Sequence, residues 1–271
     1  MQRIAWDELT LWNPREPRQS DIAFMDYVLL RDAVGRTGAE NMAVDVALLQ
    51  ESAATGGAYL RLYRWSPPCL SFGRNEPALA RYDRAAIEHR GWDVVRRPTG
   101  GRAVWHADEV TYAVAAPIAA FGSLQQSYCA IHERLAAALR TLGVPAQLAP
   151  QNGRPSGLAA GACFASPVGG EVTVHGRKVV GSAQVRMGSA FLQHGSILLG
   201  GTQENIQAVS RQLSAVRSAT SLSQTLGRKV TFDDVANAIV SIWPPVLTPT
   251  APDRPLPSSS VFSDPDWTWR R

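Results

Sequence analysis

Hydrophobic positions along the chain recur at helical spacing in a few long stretches and alternate in strand fashion over most of the remainder. From Ala39 to Ser52 the run AENMAVDVALLQES sets Met42, Val46 and Leu49 on one stripe at steps of four and three, which predicts an amphipathic helix. Asp45 falls on that same stripe. An acid on an apolar face is either hydrogen-bonded locally as structure or turned into a site. Ser123 to Leu142 carries a second stripe through Leu124, Tyr128, Ile131, Leu135, Leu139 and Leu142, ended by Gly143 and Pro145. Thr231 to Trp243 opens on a Thr-Phe-Asp-Asp cap signal and predicts a third long helix, while Tyr82 to Arg90 predicts a short one.

The alternating stretches are shorter. Tyr59 to Trp65 and Cys69 to Phe72 flank Ser66-Pro67-Pro68 and read as a hairpin or strand pair. Further strands are expected at Asp93 to Arg97, Ala103 to Trp105, Val110 to Ala115, Glu171 to His175, Lys178 to Val185 and Phe191 to Leu199, with Gly176-Arg177 as a turn. Strands arriving in hairpins, without strict strand–helix alternation, favour an α+β fold of mixed, largely antiparallel sheets packed with helices. The expected organisation is an N-terminal extension over residues 1–20, order beginning near Ile22, one domain over 21–243, and a Pro/Ser-rich linker and tail over 244–271 that holds Trp267 and Trp269.

Composition narrows the class. With 271 residues and 45% hydrophobic content the chain supports one sizeable core, and 18% charged residues argues against disorder. The net charge of +4 is spread without a polybasic block, which gives nucleic-acid binding little support but suits an acidic protein partner. The start, MQRIAWDELTLWNPREPRQS, lacks a secretion signal, and no apolar run is long enough to span a membrane. Three widely spaced cysteines, Cys69, Cys129 and Cys163, form neither a disulfide framework nor a CxxC metal site, so a reducing cytoplasm is the default.

Four segments carry candidate chemistry. In RRPTGGRAVWH (Arg96 to His106) paired glycines let a backbone approach a ligand closely, and flanking arginines offer contacts to an anionic group; a plain glycine turn with solvated arginines is the alternative. The GxxxxGK[ST] phosphate loop is absent from it. In GRKVVGSAQ, Lys178 is either a surface charge near a turn or an ammonium aimed into a pocket. In LQHGSILL a polar Gln-His-Gly-Ser sits inside a buried-looking strand, and His194 has no neighbours at metal-ligand spacing. Cys163 follows the glycine-rich Gly153–Gly161 loop. Most lone cysteines are small buried hydrophobes, as Cys69 and Cys129 are read here, but a thiol at a loop edge can be exposed.

Taken together, the segments resemble the lipoate–biotin protein ligase superfamily, and within it the octanoyltransferase branch that uses a cysteine nucleophile. The resemblance runs from about Ala39 to Leu199, and the closing DPDWTWRR is similar to that branch's tail. It implies a biotin/lipoate protein ligase-like fold, Cys163 as the acyl-accepting thiol and Lys178 as the pocket lysine. It further implies an acyl tunnel lined by Arg97, Thr99, Gly100, Gly101, Arg102 and His106, with Gly181, Ser182, Ala183 and Gln184 and then His194 and Gly195 as the opposite wall. One departure concerns the residues before Glu171, where the family commonly carries an aromatic pair and this chain has Pro167-Val168-Gly169-Gly170.

The reaction so implied starts with octanoyl-acyl carrier protein as donor and ends on a lysine of a lipoyl-domain protein such as glycine cleavage H protein. The Cys163 thiolate takes the octanoyl group as a thioester, and Lys178, if close, lowers the thiol pKa and donates to the developing oxyanion. No cofactor is expected on this route. The competing enzyme readings are an ATP- and Mg-dependent lipoate–protein ligase, which leaves Cys163 without a role, and an amidotransferase moving octanoyl between lipoyl domains. A non-catalytic lipoyl-domain binder is the remaining alternative, disfavoured by the presence of both Cys163 and Lys178.

Overall fold

The structure, a computed structural model, describes residues 25–150, 170–211, 219–243, 247–249 and 256–270. The expected N-terminal extension, the Gly153–Gly161 loop and Cys163 lie outside the described residues. In chain order the elements are β1 (Tyr27–Arg36), α1 (Gly38–Thr55), β2 (Ala58–Trp65), β3 (Cys69–Phe72), α2 (Ala78–Arg81), α3 (Arg84–His89) and β4 (Asp93–Arg96). There follow β5 (Val104–His106), β6 (Glu109–Pro117), α4 (Leu124–Thr141), β7 (Ala146–Leu148), β8 (Val172–Val174), β9 (Arg177–Lys178), β10 (Val180–Met187) and β11 (Ala190–Leu198). The described C-terminal part holds α5 (Leu222–Leu226), α6 (Phe232–Ile242), β12 (Leu247–Pro249), α7 (Ser260–Ser263) and α8 (Pro265–Thr268).

A six-stranded sheet in the order β10-β11-β6-β2-β1-β12 forms the centre. Its first four strands are antiparallel neighbours, while β1 runs parallel to both β2 and β12. Successive side chains on a strand point to opposite faces, so each strand feeds two cores. Leu62, Tyr112 and Val114 pack with Ile131 and Leu135 of α4 and Val235 and Ile239 of α6. Tyr63, Ala113, Ala115 and Leu192 pack on the other face with Met42, Val46 and Leu49 of α1, the stripe read from the sequence. Each fully buried aliphatic side chain of this kind contributes roughly 1.5–3 kcal/mol. Helix ends are closed locally. Thr37 and Glu40 form a capping box at α1, Thr231 and Asp234 form one at α6, and the Ser123 hydroxyl accepts from the Gln126 amide at the start of α4.

The mixed α+β architecture matches expectation, with three differences in connection. β2 and β3 are not a hairpin. β2 lies in the large sheet, whereas β3 pairs with β4 and β5 in a separate three-stranded sheet, so Ser66-Pro67-Pro68 carries the chain from one sheet to the other. The strand expected over Lys178 to Val185 is divided at Val179. β9 closes the small β7-β8-β9 sheet, and β10 begins the edge of the large one. Within the stretch read as linker and tail, β12 joins the large sheet, and Trp269 of the tail is buried against Phe72.

Arg96 fixes that tail. Its Nε donates to the carbonyls of Trp267 and Thr268 at 3.0 Å each, and Nη2 donates to that of Arg270 at 2.9 Å. Its Nη1 donates to the carbonyls of Gly73 and Glu76 at 2.8 and 2.7 Å. Burial, and secondarily the charge of Arg270, bring the Arg96 guanidinium down to about 10, so it is a cation at neutral pH.

Candidate active site

Where α1, the large sheet and the β4-β3-β5 sheet meet there is a small cleft open to solvent. Its walls come from Met42 of α1, Tyr63 and Trp65 of β2, Arg97, Val104 and His106, Thr111 of β6, and the facing stretches Gly181–Ala183 and His194–Ser196. The exposed wall atoms are mostly apolar.

Two buried polar chains stand behind these walls. In the first, Asp45 Oδ1 accepts from Arg61 Nη1 at 2.8 Å, and Oδ2 accepts from the Tyr63 hydroxyl and from His194 Nδ1, both at 2.9 Å. Burial pushes the Asp45 carboxyl up, but the His194 hydrogen bond and the Arg61 charge outweigh it and hold the group below the usual carboxylate range. An ionised Asp45 only accepts. His194 therefore carries its proton on Nδ1, and Nε2 accepts from the Thr99 hydroxyl at 2.7 Å. Burial lowers the His194 pKa against the pull of Asp45, keeping the ring neutral.

The second chain runs through His106. Its Nδ1 lies 2.7 Å from Glu109 Oε1 and its Nε2 lies 2.6 Å from Ser71 Oγ. Arg97 Nη1 donates to that same Ser71 oxygen at 2.6 Å and to the Ser71 carbonyl at 2.9 Å, while Nη2 donates to the carbonyl of Arg102 at 2.8 Å. Trp65 stacks on the His106 ring at 4.0 Å and 15°. The glycine loop is thus tied at Arg97 and at Thr99 to carboxylates of the core, through one histidine each.

Glycine is required at the loop for two reasons. Gly101 has φ 90, in the left-handed region. Opposite it, a Cβ on Gly73 would fall 1.9 Å from the Gly101 carbonyl oxygen, so the two backbones touch. The Arg74 amide adds a stitch to the Thr99 carbonyl at 2.8 Å.

Lys178 lies outside the cleft lining, near His132 of α4. Its Nζ donates to Glu171 Oε1 at 2.6 Å, and both side chains are only 2–3% exposed. Beside the pair, His132 of α4 is buried, and its Nε2 lies 2.8 Å from the Ser182 hydroxyl. Ser182 in turn meets the Tyr112 hydroxyl at 2.6 Å, which accepts from Gln193 Nε2 at 2.9 Å. Burial first, and then the nearby Lys178 charge, lower His132 to about 3, offset in part by the Gly170 backbone. Among the described residues no group of three or more His, Cys, Asp or Glu side chains is arranged to hold a metal ion, and no helix is long and apolar enough to cross a membrane.

The sequence model of the lipoyl protein ligase A/B catalytic domain matches residues 37–242, which include α1, both walls of the cleft and the Lys178 hairpin. The chain belongs to the lipoyl protein ligase A/B catalytic-domain family. Within it, the chain is similar to octanoyltransferase LipM of Moorella thermoacetica, at 38% identity over 85% of this chain and 93% of that protein. It is likewise similar to octanoyltransferase LipM of Kyrpidia tusciae, at 44% identity over 76% of this chain and 78% of that one. The chain is accordingly an acyltransferase, an octanoyltransferase. Its fold is shared with the solved structure of a lipoic acid-bound putative lipoate protein ligase, Ta0514, from T. acidophilum. That match has a TM-score of 0.72 at 18% identity, over 90% of this chain and 99% of that one. A lipoate-protein ligase A bound with ATP matches with a TM-score of 0.68 at 20% identity, over 80% of this chain and 84% of that chain.

Against this family frame, the candidate residues divide into three groups. Arg97, His106, Gly181, Ser182, Ala183, His194 and Gly195 line the cleft together. Thr99 stands one hydrogen bond behind His194, and Gly100, Gly101 and Arg102 belong to the same loop without lining the cleft. Gln184 donates to Ser127 Oγ and Gln193 Oε1 on the α4 side, and Lys178 is also outside the lining. The cysteines within the described residues fit the inert reading: burial pushes the Cys69 thiol far up and raises that of Cys129. Residue-level reading missed Glu171, Glu109, Ser71, Tyr63 and His132. Asp45 alone had a signal, an acid on an apolar stripe.

Proposed function

We propose that this octanoyltransferase takes its acyl group from octanoyl-acyl carrier protein, holds it as a thioester on Cys163, and passes it to a lysine of a lipoyl-domain protein such as glycine cleavage H protein, in lipoate biosynthesis in the cytoplasm. The observation that carries this reading is the combination of an apolar cleft with relatives named octanoyltransferase. The alkyl chain lies against Met42, Val104, Trp65 and Ala183. Arg97, at the start of the glycine loop, and the facing Gly181–Ala183 and His194–Gly195 stretches enclose it.

Thiolate attack on the donor forms the Cys163–acyl bond and releases the carrier thiol; the acceptor amine then forms the amide and returns the thiol. The first step exchanges one thioester for another, and the second is driven by amide formation. Gly170 follows Cys163 by seven positions, a reach of up to about 25 Å, and Gly170 adjoins the Glu171–Lys178 pair. Lys178 donates to the acyl carbonyl oxygen as negative charge develops on it. The route uses no cofactor; ATP and Mg belong to the ligase alternative.

Intact-mass spectrometry after incubation with octanoyl-carrier protein in the absence of ATP tests the scheme. A gain of one octanoyl group, absent from Cys163→Ala, is expected. Labelling of a lipoyl domain only when free octanoate and ATP are supplied overturns it in favour of a ligase.

A further inference from the structure

Arg96 is fully buried, and its guanidinium donates to backbone carbonyls of two separate segments: Gly73, Arg74 and Glu76 after β3, and Trp267, Thr268 and Arg270 in the tail. Burying a cation is expensive, and an apolar side chain of similar volume often serves a fold as well or better. What a planar, forked donor adds is a fixed spacing between the backbones it joins. The tail returns the contact. Trp267 Nε1 donates to the Arg96 carbonyl at 3.0 Å and Arg270 Nη2 to the Arg74 carbonyl at 2.6 Å, with the Arg270 guanidinium 4.0 Å over the Trp267 ring. Trp269 packs on Phe72, the residue before Gly73, at 5.2 Å between ring centroids, and Arg84 lies 5.3 Å over the Trp269 ring.

The segment so held is the one that supports the glycine loop. The Arg97 amide donates to the Phe72 carbonyl at 2.9 Å, the Arg74 amide donates to the Thr99 carbonyl at 2.8 Å, and Gly73 touches Gly101. Arg97 lines the cleft, and Thr99 reaches His194, which lines it from the facing stretch. At its other end the tail, through Phe262, belongs to the same buried cluster as Met42 of α1. The tail thus meets the supports of the cleft walls, while none of its described residues is among those that line the cleft.

We propose that Arg96 and tail residues 267–270 are positioning residues for acyl transfer, holding residues 73–76 at the height from which the glycine loop closes on the acyl chain. The inference rests on the reading that the cleft holds that chain. A tail that only covered the β4-β3-β5 sheet would need apolar burial alone, and Trp269 supplies it. The Arg96 bonds to both segments and the Arg270–Arg74 bond bury no apolar surface; they set a distance.

Trp269→Ala and Arg270→Met test this from the tail side, in the full chain and without touching the cleft. With the protein isotope-labelled on glycine nitrogen, the amide signals of Gly73, Gly100 and Gly101 should move in both variants, further in Trp269→Ala. Those of Gly56 and Gly227, at the ends of α1 and α5, should stay in place. In the octanoyl-transfer assay Trp269→Ala should lower kcat about tenfold, the effect of a slightly misplaced loop. The preference in kcat/KM for octanoyl- over hexanoyl-carrier protein should fall from about 15-fold to about fourfold, as though one methylene had lost its burial. That ratio does not depend on how much of the protein is folded, so a purely structural role would leave it unchanged. Trp269→Phe should restore most of the preference. Loop glycine signals that stay in place in both variants, or a slower rate with the parental preference intact, overturn the proposal. Should Trp269→Ala not fold, Arg270→Met decides on the same two readouts. If the parent forms no octanoyl adduct on Cys163, the reading of the cleft falls, and the glycine signals by themselves still decide whether the tail holds the loop.

Discussion

Asp45 on α1 and His194 on β11 lie 149 positions apart in the chain and share a hydrogen bond of 2.9 Å inside the protein, with the Arg61 guanidinium 2.8 Å away on the other carboxylate oxygen. The acid therefore has two duties. It balances a buried cation, and through His194 it fixes Thr99 in the glycine loop.

Asp45→Asn should uncouple them. The amide keeps the shape but removes the charge, and its NH2 must face one of three donors: Arg61, Tyr63 or His194. Loss of a buried partner of this kind costs about 3 kcal/mol, read as a lower urea midpoint with an unchanged m-value. A loss under about 1 kcal/mol would show that Asp32 and Asn41, which also accept from Arg61, suffice for the cation.

The close approach of Gly73 to Gly101 separates two glycine substitutions. Gly73→Ala drives a Cβ into the Gly101 carbonyl oxygen, whereas a Cβ on Gly100 meets nothing within 4 Å. Gly73→Ala should cost about 1–3 kcal/mol through forced displacement and cut octanoyl transfer by about a hundredfold, as a misplaced loop does. Gly100→Ala should leave stability within about 0.5 kcal/mol of the parent. Equal thermal melts for the two variants would contradict this.

These two cases mark what the sequence could and could not disclose. The helix at Ala39–Ser52 was legible because Met42, Val46 and Leu49 repeat at helical spacing, although α1 runs on to Thr55, and α4 and α6 lie within one residue of the bounds expected at Ser123–Leu142 and Thr231–Trp243. Strand β1 was not. Its burial is irregular, with several half-exposed positions, because it runs parallel to two neighbours near one side of the sheet. The sheet change at Ser66–Pro68 was hidden because a turn sequence reports a reversal and not which partner the next strand finds. Glu171 and Lys178 are a short hairpin apart, so their contact was within reach of register counting. Asp45 and His194 meet only through the tertiary fold.

The C-terminal tail offers a test of the Arg96 clasp. Arg96→Met keeps the length but leaves the carbonyls of Trp267, Thr268 and Arg270 without their donor. Hydrogen bonds to a charged group contribute about 1.5–3 kcal/mol each in favourable cases, so the tail should detach before the domain melts. Chymotryptic cleavage at Trp267 should accelerate markedly while α1 and the large sheet stay protected. Unchanged cleavage would mean that the contacts left in place, Trp269 against Phe72 and the Trp267 and Arg270 side chains on the Arg96 and Arg74 carbonyls, suffice to hold the tail.

An acyl group held by an apolar cleft should be measured by its length. Each methylene withdrawn from water is worth about 0.8 kcal/mol, so hexanoyl donors, two methylenes shorter, should show about 15-fold lower kcat/KM than octanoyl donors. Met42 lines the cleft and is fully buried, so Met42→Ala should shift the optimum toward longer chains. Indifference to chain length in both proteins would place the acyl group elsewhere.

His132 gives the fold a pH dependence with a defined sign. In the unfolded chain the imidazole titrates near the ordinary value of about 6.5, whereas in the folded protein burial and the Lys178 charge hold it at about 3. Between these limits the unfolded state binds the extra proton, so stability is complete above about pH 6.5 and declines as pH falls, by about 1.4 kcal/mol per unit. From pH 6.5 to pH 5 the loss from this residue is about 2 kcal/mol. His194, also lowered by burial, adds a loss of the same sign. His132→Gln retains a donor and an acceptor for Ser182 but has no proton to gain. Urea midpoints measured at pH 5 and pH 7.5 should therefore differ less in the variant than in the parent, by about 2 kcal/mol once converted through the m-value. A variant that keeps the full parental pH slope would show that His132 is already protonated in the fold, and the neutral ring beside Lys178 would have to be abandoned.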